Sequence, residues 1–180
     1  MKPAIIACCL SLLVLVAASC AKTDNAPTQS APVASTETPA TQATPRKEIV
    51  RAEAQAIEAT AGNPAEATVR VLIAENYHIN ANPPSLPHLI PTELKIEAEG
   101  GISAAGAPVY PSSVTKKFAF AEQPIKVYEG VAIIKLPLRI DASATKGAHQ
   151  LHGKLRAQPC DNQACYPPRT VETMIPVNVR

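Results

Sequence analysis

Residues 131–140 read VAIIKLPLRI, and this run decides the fold class. Its β-branched and large aliphatic residues favour an extended strand. Pro137 inside it removes a ladder donor, which argues for a sheet edge or a bulge. Working upstream, residues 113–120 form another candidate strand, and Leu94, Ile96 and Ala98 alternate with Lys95 and Glu97 as one dry and one wet face. Farther back, Val69, Val71 and Ile73 share one side of residues 67–73. Downstream, residues 149–157 and 170–179 complete the set. The stretch Asn82-Pro83-Pro84-Ser85-Leu86-Pro87 between candidates has too many prolines for a central strand. Short strands at regular spacing, separated by Pro and Gly, predict an all-β sandwich.

Composition narrows the core. The 180 residues include no Trp, two Phe and four Tyr, so Val, Ile, Leu and Ala must fill the interior. The formal net charge is +2, and Lys116-Lys117 and Arg46-Lys47 are the adjacent basic pairs. Such doublets suit a solvated face, so neither nucleic acid nor an anionic surface is inferred as a partner. No internal repeat is visible.

The N-terminus carries targeting information. Lys2, an apolar run over residues 4–16, and the small residues Ala17, Ala18 and Ser19 have the order of a secretory signal peptide. Val16-Ala17-Ala18-Ser19-Cys20 is similar to a bacterial lipobox, with Ala17 where Leu is usual, which makes Cys20 a lipidated mature N-terminus. The alternative is ordinary cleavage after Ala21. Either route exports the chain to the periplasm. Ala21 after Cys20 leans toward the outer membrane over the inner one.

Domain organisation follows from composition. Residues 1–19 are the signal peptide. Residues 20–63 hold the lipidated Cys and an Ala/Thr/Pro-rich tether, in which RKEIVRAEAQAIEATA (46–61) predicts a short helix. Gly62-Asn63-Pro64 ends that helix, and residues 64–180 are the sandwich domain.

Of five cysteines, Cys8 and Cys9 leave with the signal peptide and Cys20 takes lipid. One pair remains, Cys160 and Cys165, in a compartment where disulfides persist. It lies in QPCDNQACYPP (158–168), between the last two strands at the end of a hairpin. Bridging needs the two Cα atoms about 4.4–6.8 Å apart, which four intervening residues permit. So short a loop constrains the unfolded chain by only roughly 2 kcal/mol. Accessible short-loop disulfides are also the more reducible kind. Two readings stand: a redox-active pair, or a disulfide that stiffens a non-catalytic binding or assembly domain. A zinc site from His149, His152, Cys160 and Cys165 is disfavoured, since residues three apart on a strand diverge and no CxxC knuckle is present. No metal and no cofactor is expected.

The run C-x4-C-Y-P-P, with Tyr77-His78-Ile79-Asn80 and with Tyr128-Glu129-Gly130 ahead of Leu136-Pro137-Leu138, resembles the N-terminal periplasmic domain of the thiol:disulfide interchange protein DsbD. The likeness covers residues 65–180. It implies an immunoglobulin-like fold and electron transfer to oxidised periplasmic thiol-disulfide proteins. It assigns partner attack to Cys165 and resolution to Cys160, with a capping aromatic best matched by Tyr128 beside Glu129. His78 and Asn80 would face the cysteines. Departures are a loop one residue shorter than in the family's best-known member, and Ile125-Lys126-Val127 in place of an acidic pair before the tyrosine. No electron channel follows before Arg180, so a separate membrane electron donor is expected.

Overall fold

The computed structural model describes residues 48–180. The signal peptide, Cys20 and most of the tether lie outside these residues. The described chain forms twelve strands: β1 (Val50–Ala54), β2 (Ile57–Ala59), β3 (Pro64–Ile73), β4 (His78–Asn80), β5 (Glu93–Ile96), β6 (Ile102–Ala104), β7 (Val114–Lys116), β8 (Ile125–Tyr128), β9 (Val131–Ile140), β10 (Gly147–Ala157), β11 (Pro159–Cys160) and β12 (Arg169–Val179). Among the described residues there is no helix. The fold is all-β.

Two four-stranded sheets, β1-β3-β9-β6 and β2-β12-β10-β5, form the layers of the sandwich. Alternation builds their shared core. Val69, Val71, Ile134, Leu136 and Leu138 from one sheet meet Leu151, Leu155, Ile175 and Val177 from the other, all buried in one cluster. With no Trp and a single buried Tyr in that cluster, aliphatic packing carries the hydrophobic stabilisation.

The helix expected over 46–61 is not formed. Residues 50–54 pair with β3, and residues 57–59 run parallel to the end of β12. The chain crosses between sheets at Gln55-Ala56. VRAEA alternates buried and exposed positions at period two, and the small helix preference of Ala and Glu is overridden by ladder bonds and burial. The sandwich therefore starts ahead of residue 64. Pro64 ends no helix; it begins β3, a strand position where a missing N–H is tolerated.

Pro137 also behaves differently from expectation. β9 is flanked by β3 on one side and by β6 on the other. The Pro137 carbonyl accepts from Ala105 N–H at 2.9 Å, so its nitrogen faces the same edge, just past the end of β6. Two residues earlier Val109 takes over the ladder, exchanging both bonds with Lys135 at 2.7 and 3.0 Å. The proline sits where the partner strand changes.

A third, smaller sheet, β11-β4-β8-β7, is made by strands that leave the two layers. β3 leads into β4 through a turn with Asn76 at φ 66°, and β8 leads into β9 through Gly130 at φ 62°. That left-handed conformation suits glycine and asparagine. β10 leads into β11 through Gln158. Each layer of the sandwich thus contributes a strand to this sheet, which carries the cysteine loop.

Candidate functional site

The cysteine loop is a tight hairpin closed by the backbone. Asp161 N–H donates to Ala164 O at 2.9 Å, and Tyr166 N–H donates to Pro159 O at 2.8 Å. Between those bonded pairs Cys160 and Cys165 stand opposite each other, at the narrow position of an antiparallel ladder. They are joined as a disulfide with Cα atoms 4.0 Å apart, below the range expected from sequence. Direct cross-strand pairing explains the short separation, because non-hydrogen-bonded partners approach most closely.

Asp161 locks the turn. Its Oδ1 accepts from the backbone N–H groups of Gln163 and Ala164 at 2.8 and 2.9 Å, and Tyr166 Oη donates to Oδ2 at 2.5 Å. The tyrosine bond first, then the two backbone bonds, hold the carboxyl below the usual aspartate value. Donating to that carboxylate pushes the Tyr166 hydroxyl up to about 12. Donors that favour the charged acceptor disfavour loss of their own proton.

The two sulfur-bearing residues differ in access. Cys160 is fully buried, whereas Cys165 is half-buried. Cys165 also lines a cavity of about 460 Å³ with Leu86, Leu89, Phe120, Ile125 and Gln158.

Beneath the loop, β11 pairs with β4, bringing Cys160 opposite His78 and Pro159 opposite Ile79. His78, Ile79 and Asn80 are all buried. The His78 ring stacks on Phe118 with centroids 4.1 Å apart, and its Nε2 has no hydrogen-bond partner. Burial lowers its pKa. Glu129 and Asp161 pull the other way, and Lys116 adds to the lowering. Asn80 contacts the residue that leads into β11: its Nδ2 donates to Gln158 Oε1 at 3.1 Å and to Ile90 O at 3.0 Å. Gln158 Nε2 in turn donates to Tyr166 O at 3.2 Å. This chain of amides fixes β11 against β4 and the far side of the hairpin.

Tyr128, the cap candidate from sequence, belongs to the sandwich core cluster. It is buried on β8, paired with Ile79, and its hydroxyl accepts from Asn82 N–H at 3.1 Å. Burial, its largest influence, raises its pKa. Besides Tyr166 and the Tyr77 ring 6.1 Å from it, the site holds Phe118 and Phe120, from the segment linking β7 to β8. Phe118 is buried against His78, and Phe120 stacks on Phe118 at 5.3 Å while bordering the cavity of Cys165. They are the only two phenylalanines in the chain, a signal present in the sequence. Glu129 is close to His78 and forms an ion pair with Lys116 at 2.6 Å. His149 and His152 lie on β10, where His149 Nε2 is bonded to Thr145 O at 2.7 Å. Among the described residues no three His, Cys, Asp or Glu side chains are grouped to hold a metal.

Comparison with known proteins places this geometry. Residues 46–176 match the family described as thiol:disulfide interchange protein DsbD, N-terminal. The reduced N-terminal domain of DsbD from Neisseria meningitidis is similar at 23% identity, over 66% of this chain and 82% of that one, with a TM-score of 0.44. The N-terminal periplasmic domain of ScsB from Proteus mirabilis is similar at 17% identity, over 68% of this chain and 44% of that one, with a TM-score of 0.43. No curated protein matches the chain.

Proposed function

The chain belongs to the family of N-terminal domains of the thiol:disulfide interchange protein DsbD, and on that premise we propose that it passes electrons to oxidised periplasmic proteins through Cys160 and Cys165. The observation that carries the proposal is the asymmetry of the pair: one sulfur-bearing residue fully buried, the other half-buried at the edge of a cavity. Exchange needs an attacking thiolate that a partner can reach, and a second thiol that need reach only its neighbour.

In the proposed cycle, the Cys165 thiolate attacks a partner disulfide, forming a mixed disulfide and releasing one partner thiolate. Cys160 then attacks the Cys165 sulfur, closing the Cys160–Cys165 bond and releasing the second partner thiolate. Two electrons pass to the partner, and a separate membrane electron donor restores both thiols. We assign the capping role to Phe120, supported by Phe118, in place of Tyr128. Sequence supports placing the domain in the periplasm on a lipid at Cys20, the outer membrane being favoured.

Trapping tests this. A Cys160→Ala variant expressed in the periplasm accumulates mixed disulfides with partner proteins, separable by reducing and non-reducing electrophoresis, and Cys165→Ala does not. Absence of adducts from both variants, together with a reduction potential below about −300 mV, would return the disulfide to a structural role.

A further inference from the structure

We propose that His78 is the proton acceptor for the Cys160 thiol in the step where Cys160 closes the disulfide. The inference rests on the exchange reading above and adds a catalytic residue to it.

His78 and Cys160 are direct partners across the antiparallel β4–β11 pair. Such partners project from the same face, with Cβ atoms about 4.5–5.5 Å apart. Both are shut away from water, at 1% and 0% exposure. A thiol buried there resists ionisation, because desolvation penalises the thiolate. It needs a neighbour to take the proton.

His78 Nε2 is buried without a hydrogen-bond partner, an unusual condition for a polar atom inside a protein. In the disulfide state Cys160 has no S–H to offer. Reduction creates a donor at the adjacent position, and thiol to imidazole is the pairing the site then lacks nothing to make.

Electrostatics agrees with this role. Four groups face the imidazole from the surrounding elements: Cys160 on β11, Lys116 on β7, Glu129 after β8 and Asp161 in the loop. Burial keeps the ring neutral at neutral pH, so it can accept, while Glu129 and Asp161 favour the imidazolium once formed. Stacking on Phe118 holds the ring in place. His78 also borders a cavity of about 440 Å³ with Lys116, Glu129 and Asn162, which gives the proton a route to water.

The step balances as follows. With a partner held on Cys165, the Cys160 S–H bond breaks and the proton moves to Nε2. The Cys160 thiolate forms a bond to the Cys165 sulfur, and the bond from Cys165 to the partner breaks. The electron pair leaves with the partner's sulfur as a thiolate. The imidazolium then loses its proton to water in the cavity.

Stopped-flow reaction of the reduced protein with 5,5′-dithiobis(2-nitrobenzoate) separates the two steps. A first release of nitrothiobenzoate reports attack by Cys165, and a second reports closure by Cys160. His78→Phe keeps a ring to stack on Phe118, and His78→Gln keeps a polar group; neither titrates. Both are expected to slow the second release at least about a hundredfold at neutral pH, the low side of what a positioned base contributes, and to leave the first unchanged. The wild-type second release should fall as pH drops through an inflection below the ordinary histidine range, and both variants should lose that inflection. Equal second-release rates in wild type and variants, or equal slowing of both releases, overturn the proposal. If neither variant folds, a wild-type profile without the inflection overturns it. A wild-type protein that gives no second release overturns the exchange reading itself, and the proposal with it.

Discussion

Phe118 lies flat against His78, ring planes 19° apart, and Phe120 stacks in turn on Phe118 at 5.3 Å. The three rings form a stack running from the buried strand β4 out to the cavity beside Cys165. The two phenylalanines therefore separate by function. Phe118 is buried, so Phe118→Ala should cost about 3–5 kcal/mol and lower the melting temperature. Phe120 is 37% exposed, and losing its stacking should cost only about 1 kcal/mol. If Phe120 caps the pair, Phe120→Ala will still speed alkylation of the reduced cysteines. Unchanged alkylation rates would remove the cap assignment.

Tyr128 should respond in the opposite sense. Its hydroxyl bridges to the Asn82 backbone, accepting from N–H at 3.1 Å, and its ring is packed in the sandwich core. Tyr128→Phe should cost about 1–3 kcal/mol by leaving that amide unpaired, with no change in cysteine labelling. Urea unfolding alongside an alkylation time course reads both quantities.

The contrast between these aromatics marks where sequence reading reaches and where it stops. Residues 131–140, 149–157 and 170–179 have strand character, so these strands and the cysteine hairpin between the last two could be read directly. β4 could not be, because all three of its residues are buried and no period survives. β1 and β2 are built from Ala, Glu and Gln, whose local preference is helical, and only pairing with β3 and β12 makes them strands. Phe118 and Phe120 sit in an irregular segment, and nothing local says that it folds back over β4. The crossing of strands out of both layers into the third sheet is set by turns at Asn76 and Gly130, whose consequence appears only in three dimensions.

Acid should weaken the fold in two separate windows. The His78 pKa is lowered by burial, so the unfolded chain binds a proton that the native state refuses. Stability is unaffected above the ordinary histidine value of 6.5, falls as pH drops below it, and levels off beneath the native value. For Asp161, whose native pKa lies below 3.8, the contribution is present above that pH and is lost as pH falls through the native value. If His78 is the source, the wild-type melting temperature should therefore fall between neutral pH and the acid range, while that of His78→Phe lacks this fall. A wild-type melting temperature constant through the first window would contradict the assignment.

Asp161 also makes Tyr166 readable. The Tyr166 hydroxyl titrates at about 12 because it donates to that carboxylate. In Asp161→Asn one tyrosine should return toward the ordinary range, seen as a new tyrosinate absorbance step in an alkaline titration. The same substitution loosens the turn holding Cys160 against Cys165, so reduction should become easier. No change in either property would mean that the Asp161–Tyr166 bond does not govern the loop.

Reactivity should distinguish the two thiols. Cys160 lies between β4 and the loop, fully buried, with Asp161 next to it as a fixed negative charge. Burial and a neighbouring carboxylate both disfavour a thiolate at that position. Cys165 is half-buried, borders a cavity of mixed polar and apolar lining through which a partner can approach, and is followed by the rigid Pro167-Pro168. Fully reduced protein given a limiting amount of alkylator should accordingly be modified first at Cys165, as peptide mass spectrometry would show. Reduction alone should cost roughly 2 kcal/mol and leave unfolding cooperative, because the backbone pairs at Pro159–Tyr166 and Asp161–Ala164 close the hairpin without the sulfur bridge. Were reduction to unfold the domain instead, labelling would be equal at both sites and the bridge would be a staple. Were Cys160 labelled first in a protein that stays folded, the roles of the two cysteines would be reversed, and His78 would stand beside the attacking thiol.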